Sequence, residues 1–346
     1  MKSFIESETI PVSRLKPLTS TSVPETNATS PQPAAVDAFS LKTKLICCAA
    51  LLLFSVAATL LAEASKTSSG SYPYNTFVIP FSVEGVKLVS SACVLYFAKS
   101  NNKDEGGTKA FSFASFLLYC VPALCYFISN NCMFYIIREL GPATFQITNN
   151  LKTLSTALLM RFVLSHKLTW MQVKALVLLV CGSIVTQLQP TSQPLRENTQ
   201  GVFMSMGYVA VCVNSLAAGL GGVYSEKLLK GKATGRNESI HWQNCQLYFF
   251  GIVFGLVSIL SQTDDKLGNI YDGFNGAAIG TVVALATSGL LVSFVLKYLD
   301  NFAKCFVNAL SMIVVGVAHA STSGDGLQLP LVIGIVLTSI AIEQYS

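Results

Sequence analysis

Charge is what this chain has least of. Of its 346 residues, 23 are Lys or Arg and 18 are Asp or Glu, together 12%, where a soluble domain carries about 25%. A soluble chain of this length forms roughly two domains with polar outer faces. So few charges cannot coat two globules at a mean hydropathy of +0.53, which excludes a soluble enzyme. Histidine is nearly missing: there are three, and only His319 falls in an apolar run, with no acid nearby in sequence. That argues against an intramembrane enzyme built on a cluster of His with Asp or Cys. The ten cysteines include no CxxC pair, so zinc and redox sites are not indicated; most lie inside apolar runs and read as small apolar packing residues. No metal and no cofactor is expected.

Long apolar runs are what the chain does have. They are about 20 residues long, the length that crosses a hydrocarbon core of ~30 Å as a helix. Stretches such as 45–61 and 170–186 do not alternate as barrel strands would, which leaves helices as the way to satisfy the backbone. The fold class read here is an all-α membrane protein with ten transmembrane helices. The spans are 45–62, 75–97, 113–137, 142–164, 170–188, 201–225, 242–262, 276–298, 302–322 and 328–345. Residues 1–44, rich in Ser, Thr and Pro, read as a disordered cytosolic tail.

The placement of the positive charges supports an even number of spans. Lys42, Lys44, Lys99, Lys103, Lys109, Lys167, Lys227, Lys230, Lys232, Arg236 and Lys297 fall on the side of the N-terminus; Lys66, Arg138, Arg196 and Lys266 fall on the other. By the positive-inside rule both termini face the cytosol. The sequons at Asn27 and Asn237 then also face the cytosol, so neither is expected to carry a glycan. Ten spans divide into halves at 45–188 and 201–346, joined by a lumenal loop at 189–200. In each half the fourth span follows a tight hairpin and carries a lysine, Lys152 or Lys304. Five is odd, so the second half enters the membrane in the opposite sense: two inverted five-helix repeats with a site near the midplane.

Charges within the spans are the best functional pointers, because a Lys near the bilayer centre costs about 2.5 to 3.5 kcal/mol on insertion scales. Glu84 and Lys87 are three apart, on one helical face, and are expected to pair with each other. Arg161 and Lys174 lie near span ends, where they can snorkel to the interface. Lys152 has no acid on its own or the flanking spans. Around it Gln146, Thr148, Asn149 and Asn150, with Tyr126, Asn130 and Asn131 on the third span, form a polar seam that either joins helices or lines an anion site. Lys304 has Asp300 four residues before it and could rest in a salt bridge. If both lysines instead face one cavity, they suit a phosphorylated solute, with Tyr126, Phe145 and Tyr248 available to stack on a flat ring.

At these residues the sequence resembles the nucleotide-sugar transporter family of the drug/metabolite transporter superfamily, in its branch for CMP-sialic acid, UDP-galactose and UDP-N-acetylglucosamine. The carrying segments are Glu84-Gly85-Val86-Lys87-Leu88, Gln146-Ile147-Thr148-Asn149-Asn150-Leu151-Lys152, Gly222-Val223-Tyr224-Ser225-Glu226-Lys227, Asn244-Cys245-Gln246-Leu247-Tyr248 and Lys297-Tyr298-Leu299-Asp300-Asn301-Phe302-Ala303-Lys304. The resemblance implies a Golgi or endoplasmic-reticulum carrier, not an enzyme, that exchanges a cytosolic nucleotide sugar for a lumenal nucleoside monophosphate. It further implies that Lys152 and Lys304 bind phosphate and that Tyr126, Asn130, Asn244 and Tyr248 hold the nucleoside, with Gln146 and Asn149 in the same site. The expected partners are the nucleotide sugar, the monophosphate and the lipid bilayer, with no nucleic acid; a homo-oligomer or a glycosyltransferase partner stays open. Two rivals remain. A proton-coupled small-amine exporter of the same superfamily would need an unpaired membrane carboxylate, and Glu84 has Lys87 beside it. A non-transporting scaffold would keep the fold alone.

Overall fold

The structure, a computed structural model, describes residues 41–67, 72–100, 112–140, 151–164, 169–186, 206–231, 238–262, 270–323 and 329–345, except the side chains of 99–100, 134, 137–140, 319–320 and 322–323. The chain divides into two units, Met1–Ala38 and Phe39–Ser346, and every described residue belongs to the second. The sequence expectations at Gln146 and Asn149, at Phe145, and at the side chain of His319 lie outside the described residues.

The secondary structure of the described residues is helical throughout. In chain order the helices are α1 (Leu41–Ala64), α2 (Val78–Ser100), α3 (Phe113–Leu118), α4 (Cys120–Leu140), α5 (Leu151–Val163), α6 (Trp170–Thr186), α7 (Met206–Leu229), α8 (Ile240–Gln262), α9 (Gly276–Tyr298), α10 (Asn301–Ser323) and α11 (Leu329–Tyr345). Among the described residues seven helical stretches are long and apolar enough to cross a membrane, and Trp170–Val185 and Leu329–Tyr345 are shorter apolar helices. Large apolar side chains such as Leu53, Phe162, Val257 and Ile279 stand exposed on the outside, where lipid tails would solvate them. This is a multi-pass membrane protein.

The sequence reading has one helix over 113–137, and the structure interrupts it at Tyr119. Pro122 is the cause: it brings no N–H, and its ring would collide with the carbonyl of Leu118 in a continuous helix. The chain tightens there, the Tyr119 N–H reaching the Phe116 carbonyl at 3.1 Å. Pro80 and Pro330 sit in the first turns of α2 and α11, where a missing N–H leaves nothing unsatisfied.

Helices of the first half pack mainly on helices of the second. α1 lies on α9 and α10, α2 on α8 and α9, α4 on α7 and α8, α5 on α7, and α6 on α11. With no hydrophobic drive between helices in lipid, close approach through small residues carries such contacts. At the α6–α11 seam a Cβ on Gly182 would stand 2.8 Å from the Thr338 hydroxyl oxygen.

One polar corner fixes the start of α10. Glu226, near the end of α7 and 2% exposed, accepts the Asn301 N–H at 3.0 Å and pairs with Lys230 at 2.7 Å. The Lys230 ammonium also donates to the Leu299 carbonyl. Asp300 caps α10 by accepting the Ala303 N–H at 2.7 Å.

Candidate functional site

Between α2, α4, α7, α8, α9 and α10 lies a cavity of about 270 Å³. Its wall is built from α2 outward. The three-residue spacing of Glu84 and Lys87 puts both on the inner face of that helix, where they form the expected ion pair. Room for the pair comes from glycines on two neighbouring helices. A Cβ on Gly251 of α8 would stand 2.8 Å from a Glu84 carboxylate oxygen, and one on Gly289 of α9 would stand 2.8 Å from the Lys87 Cδ. Gly251→Ala should therefore displace the carboxylate and cost about 1 to 3 kcal/mol by overpacking, read as a lowered unfolding temperature in detergent.

The Lys87 ammonium stands 4.3 Å from the centroid of the Tyr248 ring, a cation–π distance. Tyr248 is buried and its hydroxyl meets Ser293 at 3.0 Å. Across the cavity the Tyr126 hydroxyl meets Ser225 at 3.4 Å. Further along α4, Asn131 donates to the Phe127 carbonyl at 2.8 Å and accepts from Ser258 at 3.3 Å. Asn130 also lines the cavity.

Lys304 closes the cavity from α10, its ammonium 5.8 Å from the centroid of the Tyr126 ring. The salt bridge with Asp300 that the sequence allowed is not formed; one oxygen of that carboxylate caps α10 instead. Among the described residues no carboxylate pairs with Lys304. The site thus presents one unneutralised ammonium, one neutralised ion pair and two tyrosine rings, a set suited to an anionic solute with a flat ring.

Lys152 is placed elsewhere. It lines a second cavity, of about 460 Å³, together with Cys305 and Asn308. The division has a simple cause: Lys304 and Cys305 are consecutive on α10, so their side chains diverge by about 100° and each faces its own cavity. Asn244, one turn before Tyr248, is fully buried and is not part of the first cavity's wall; its amide atoms have no partner among the described residues. Arg161 and Lys174 are exposed on the outer surface.

Sequence reasoning passed over Gly251, Gly289 and Ser293, and named Ser225 and Glu226 only within a family segment, with no role of their own. For Gly251 a signal was present: Gly251 and Gly255 form a G-x-x-x-G pair, the pattern that lets membrane helices approach closely. Their Cβ positions face Glu84 and Phe81 on α2.

Comparison with known proteins agrees with this architecture. A CMP-sialic acid transporter of rice (Oryza sativa subsp. indica) is 32% identical over 310 residues, covering 89% of this chain and 85% of the relative. The mouse (Mus musculus) UDP-galactose translocator is 34% identical over 236 residues, covering 66% of this chain and 58% of that protein. A solved protein structure superposes with a TM-score of 0.62 at 11% identity, covering 89% of this chain and 98% of its own, which shows a shared fold. The model of one family, described as nucleotide-sugar transporter, matches residues 39–346, and the chain belongs to that family.

Proposed function

We propose that the chain moves a pyrimidine nucleotide sugar across a Golgi or endoplasmic-reticulum membrane in exchange for the nucleoside monophosphate. The candidates are UDP-galactose, UDP-N-acetylglucosamine and CMP-sialic acid. The observation that carries this reading is Lys304: an ammonium without a carboxylate partner among the described residues, in a membrane-embedded cavity beside two tyrosine rings. Its charge would attract the phosphates of substrate and product alike, while the rings would receive the base. Specificity would come from contacts that leave a polar group unpaired when the wrong ligand is bound. The relatives, one a transporter of CMP-sialic acid and one a translocator of UDP-galactose, favour a pyrimidine base without choosing between uridine and cytidine.

The mechanism proposed is alternating access by rocking of two inverted five-helix halves about this site. The packing supports it. Let α1, α2, α4, α5 and α6 correspond to α7, α8, α9, α10 and α11. The α1–α9 contact then maps onto α7–α4, α1–α10 onto α7–α5, α2–α9 onto α8–α4 and α5–α6 onto α10–α11, while α2–α8 and α6–α11 map onto themselves, and all of these contacts are present. With both termini cytosolic, as the lysine distribution favours, the corner at Glu226 and Lys230 lies on the cytosolic side. Exchange follows if the empty carrier, its lysine unneutralised, reorients slowly.

Proteoliposomes holding the purified chain test this. Labelled UDP-galactose, UDP-N-acetylglucosamine or CMP-sialic acid should enter faster when UMP or CMP is trapped inside. A rate indifferent to the preload ends the exchange step; absence of uptake for all three ends the reading as a carrier of these solutes.

A further inference from the structure

Packing does not follow the two halves of the chain. α1 lies closely on α9 and α10, and α4 and α5 lie closely on α7, whereas neighbours within one half touch slightly. Two three-helix bundles result, each drawn from both halves: α1 with α9 and α10, and α7 with α4 and α5. The correspondence between repeats given above turns one bundle into the other. The first cavity lies between them, walled by α9 and α10 of one bundle and α4 and α7 of the other, with α2 and α8 completing it.

Contact between the bundles is slight, α7 meeting α9 and α10 and α5 meeting α10, and the side chains place it where α7 ends and α10 begins. Met160, Val223 and Phe302 share one buried cluster there, and Leu229 and Leu296 another. Two hydrogen bonds cross from bundle to bundle: the Asn301 N–H donates to Glu226 at 3.0 Å, and the Lys230 ammonium donates to the Leu299 carbonyl. Gly222 permits the approach, since a Cβ there would stand 2.6 Å from the Asn301 amide nitrogen. Toward the other face of the membrane, hydrogen bonds stay inside a bundle. Ser129 of α4 donates to Asn214 of α7 at 2.6 Å, Asn275 at the start of α9 donates to the Ser65 carbonyl just past α1 at 3.0 Å, and Ser55 of α1 meets Ser288 of α9 at 3.5 Å beside the second cavity.

We infer that the corner is a latch: Glu226 and Lys230, holding the turn from Leu299 to Asn301, close the cavity on the cytosolic side and let go when the bundles rock apart. This rests on the alternating access proposed above and sharpens it, the moving bodies being the two mixed bundles instead of the halves as the sequence divides them. The chemistry suits a contact that must part and re-form. Both bonds across the seam join an ion to a backbone group, and the two ions pair with each other at 2.7 Å within α7. Opening therefore strands no charge, the costly event in a buried pair; it frees one N–H and one carbonyl at a helix end that the cytosol can hydrate.

The test fastens the latch covalently. The Gly222 Cβ position stands 3.2 Å from the side-chain amide carbon of Asn301, near the separation of about 3 Å between a Cβ and the far sulfur of a disulfide, so Gly222→Cys with Asn301→Cys can be joined by a mild oxidant. In proteoliposomes of the full chain preloaded with UMP or CMP, the bond should lower uptake of the preferred nucleotide sugar about tenfold or more, and a reductant should restore it. Affinity for UMP or CMP should stay within about threefold of the reduced form, because one orientation of the site is retained. A corner that only stabilises the fold would be indifferent to the bond. Uptake equal before and after oxidation, or monophosphate affinity lost together with uptake, overturns the inference.

A second measurement covers a pair that does not fold or does not join. Val292→Cys puts a thiol in the cavity wall. In sealed vesicles bearing the chain with its cytosolic face outward, an impermeant maleimide should reach that thiol about threefold faster or more once Glu226→Gln weakens the latch; equal rates overturn the inference. A parent chain that takes up none of the three nucleotide sugars removes the function proposed above, and the maleimide rates then decide the latch alone.

Discussion

Lys304→Ala is expected to lower affinity for UMP or CMP and the rate of nucleotide-sugar uptake by roughly tenfold to a hundredfold, the loss of one hydrogen bond to a charged group. The structure gives the reason in three parts. The ammonium faces the cavity, its nearest sequence acid caps a helix and does not pair with it, and no other carboxylate among the described residues pairs with it. On the proposed function, the charge this residue meets is the ligand's phosphate. Lys304→Arg should retain part of the affinity, because the charge remains while the planar fork replaces a compact point charge. The ligand-free protein should tell the opposite story. An unneutralised ammonium inside a membrane bundle costs free energy, so removing it should leave the unfolding temperature unchanged or raise it. Loss of ligand-induced stabilisation without loss of apo stability is the signature of a binding residue. Unaltered UMP and CMP affinity in Lys304→Ala would remove this residue from the site.

Lys87 makes a useful contrast. It too lies in the wall, but Glu84 pairs with it and Tyr248 lies beneath it. Its charge is already answered, so it is less available to a phosphate than Lys304.

What could be read from the sequence follows from what local spacing determines. The all-helical character of the described residues was legible because each apolar run had to satisfy its own backbone; of the ten spans expected, seven stand among the described residues as helices long and apolar enough to cross. The Glu84–Lys87 pair was legible because residues three apart share a helical face. The break at Tyr119 was written in Pro122, yet one hydropathic run conceals a backbone interruption that leaves composition unchanged. Where Lys152 and Lys304 point was not legible: it depends on a rotation of one residue about α10 and on how α5 and α10 lie against each other. Gly251 and Gly289 were missed because a glycine advertises no chemistry; their meaning appears only when Glu84 and Lys87 arrive from another helix. The hydroxyls of α1 were invisible for a related reason. A Ser or Thr inside an apolar run bonds its own helix at little cost, and only tertiary packing shows which of them face a cavity.

The corner that sets α10 in place should be the most sensitive point for stability. Glu226 is 2% exposed, and its two carboxylate oxygens are both engaged, one by Lys230 at 2.7 Å and the other by the Asn301 N–H at 3.0 Å. Glu226→Ala leaves the mostly buried Lys230 ammonium without its anion and the first N–H of α10 without its acceptor, a loss of about 3 to 5 kcal/mol for a broken buried pair. Glu226→Gln should cost less, about 1 to 3 kcal/mol, since its amide oxygen can still accept from Asn301. Removing both charges, Glu226→Leu with Lys230→Met, should recover much of the loss, because the penalty comes chiefly from stranding one charge and not from lacking the pair. Ligand-free unfolding in detergent measures all three. The same variants also probe the proposed function, for Asn301 lies one turn before Lys304: once the start of α10 loosens, the ammonium proposed to meet the phosphate loses its fixed position. Glu226→Gln should accordingly weaken UMP or CMP binding while the protein remains folded, although Glu226 itself lies outside the cavity wall. Unfolding of Glu226→Ala within about 0.5 kcal/mol of the parent, the range of a neutral surface change, would show that the corner does not hold the helix.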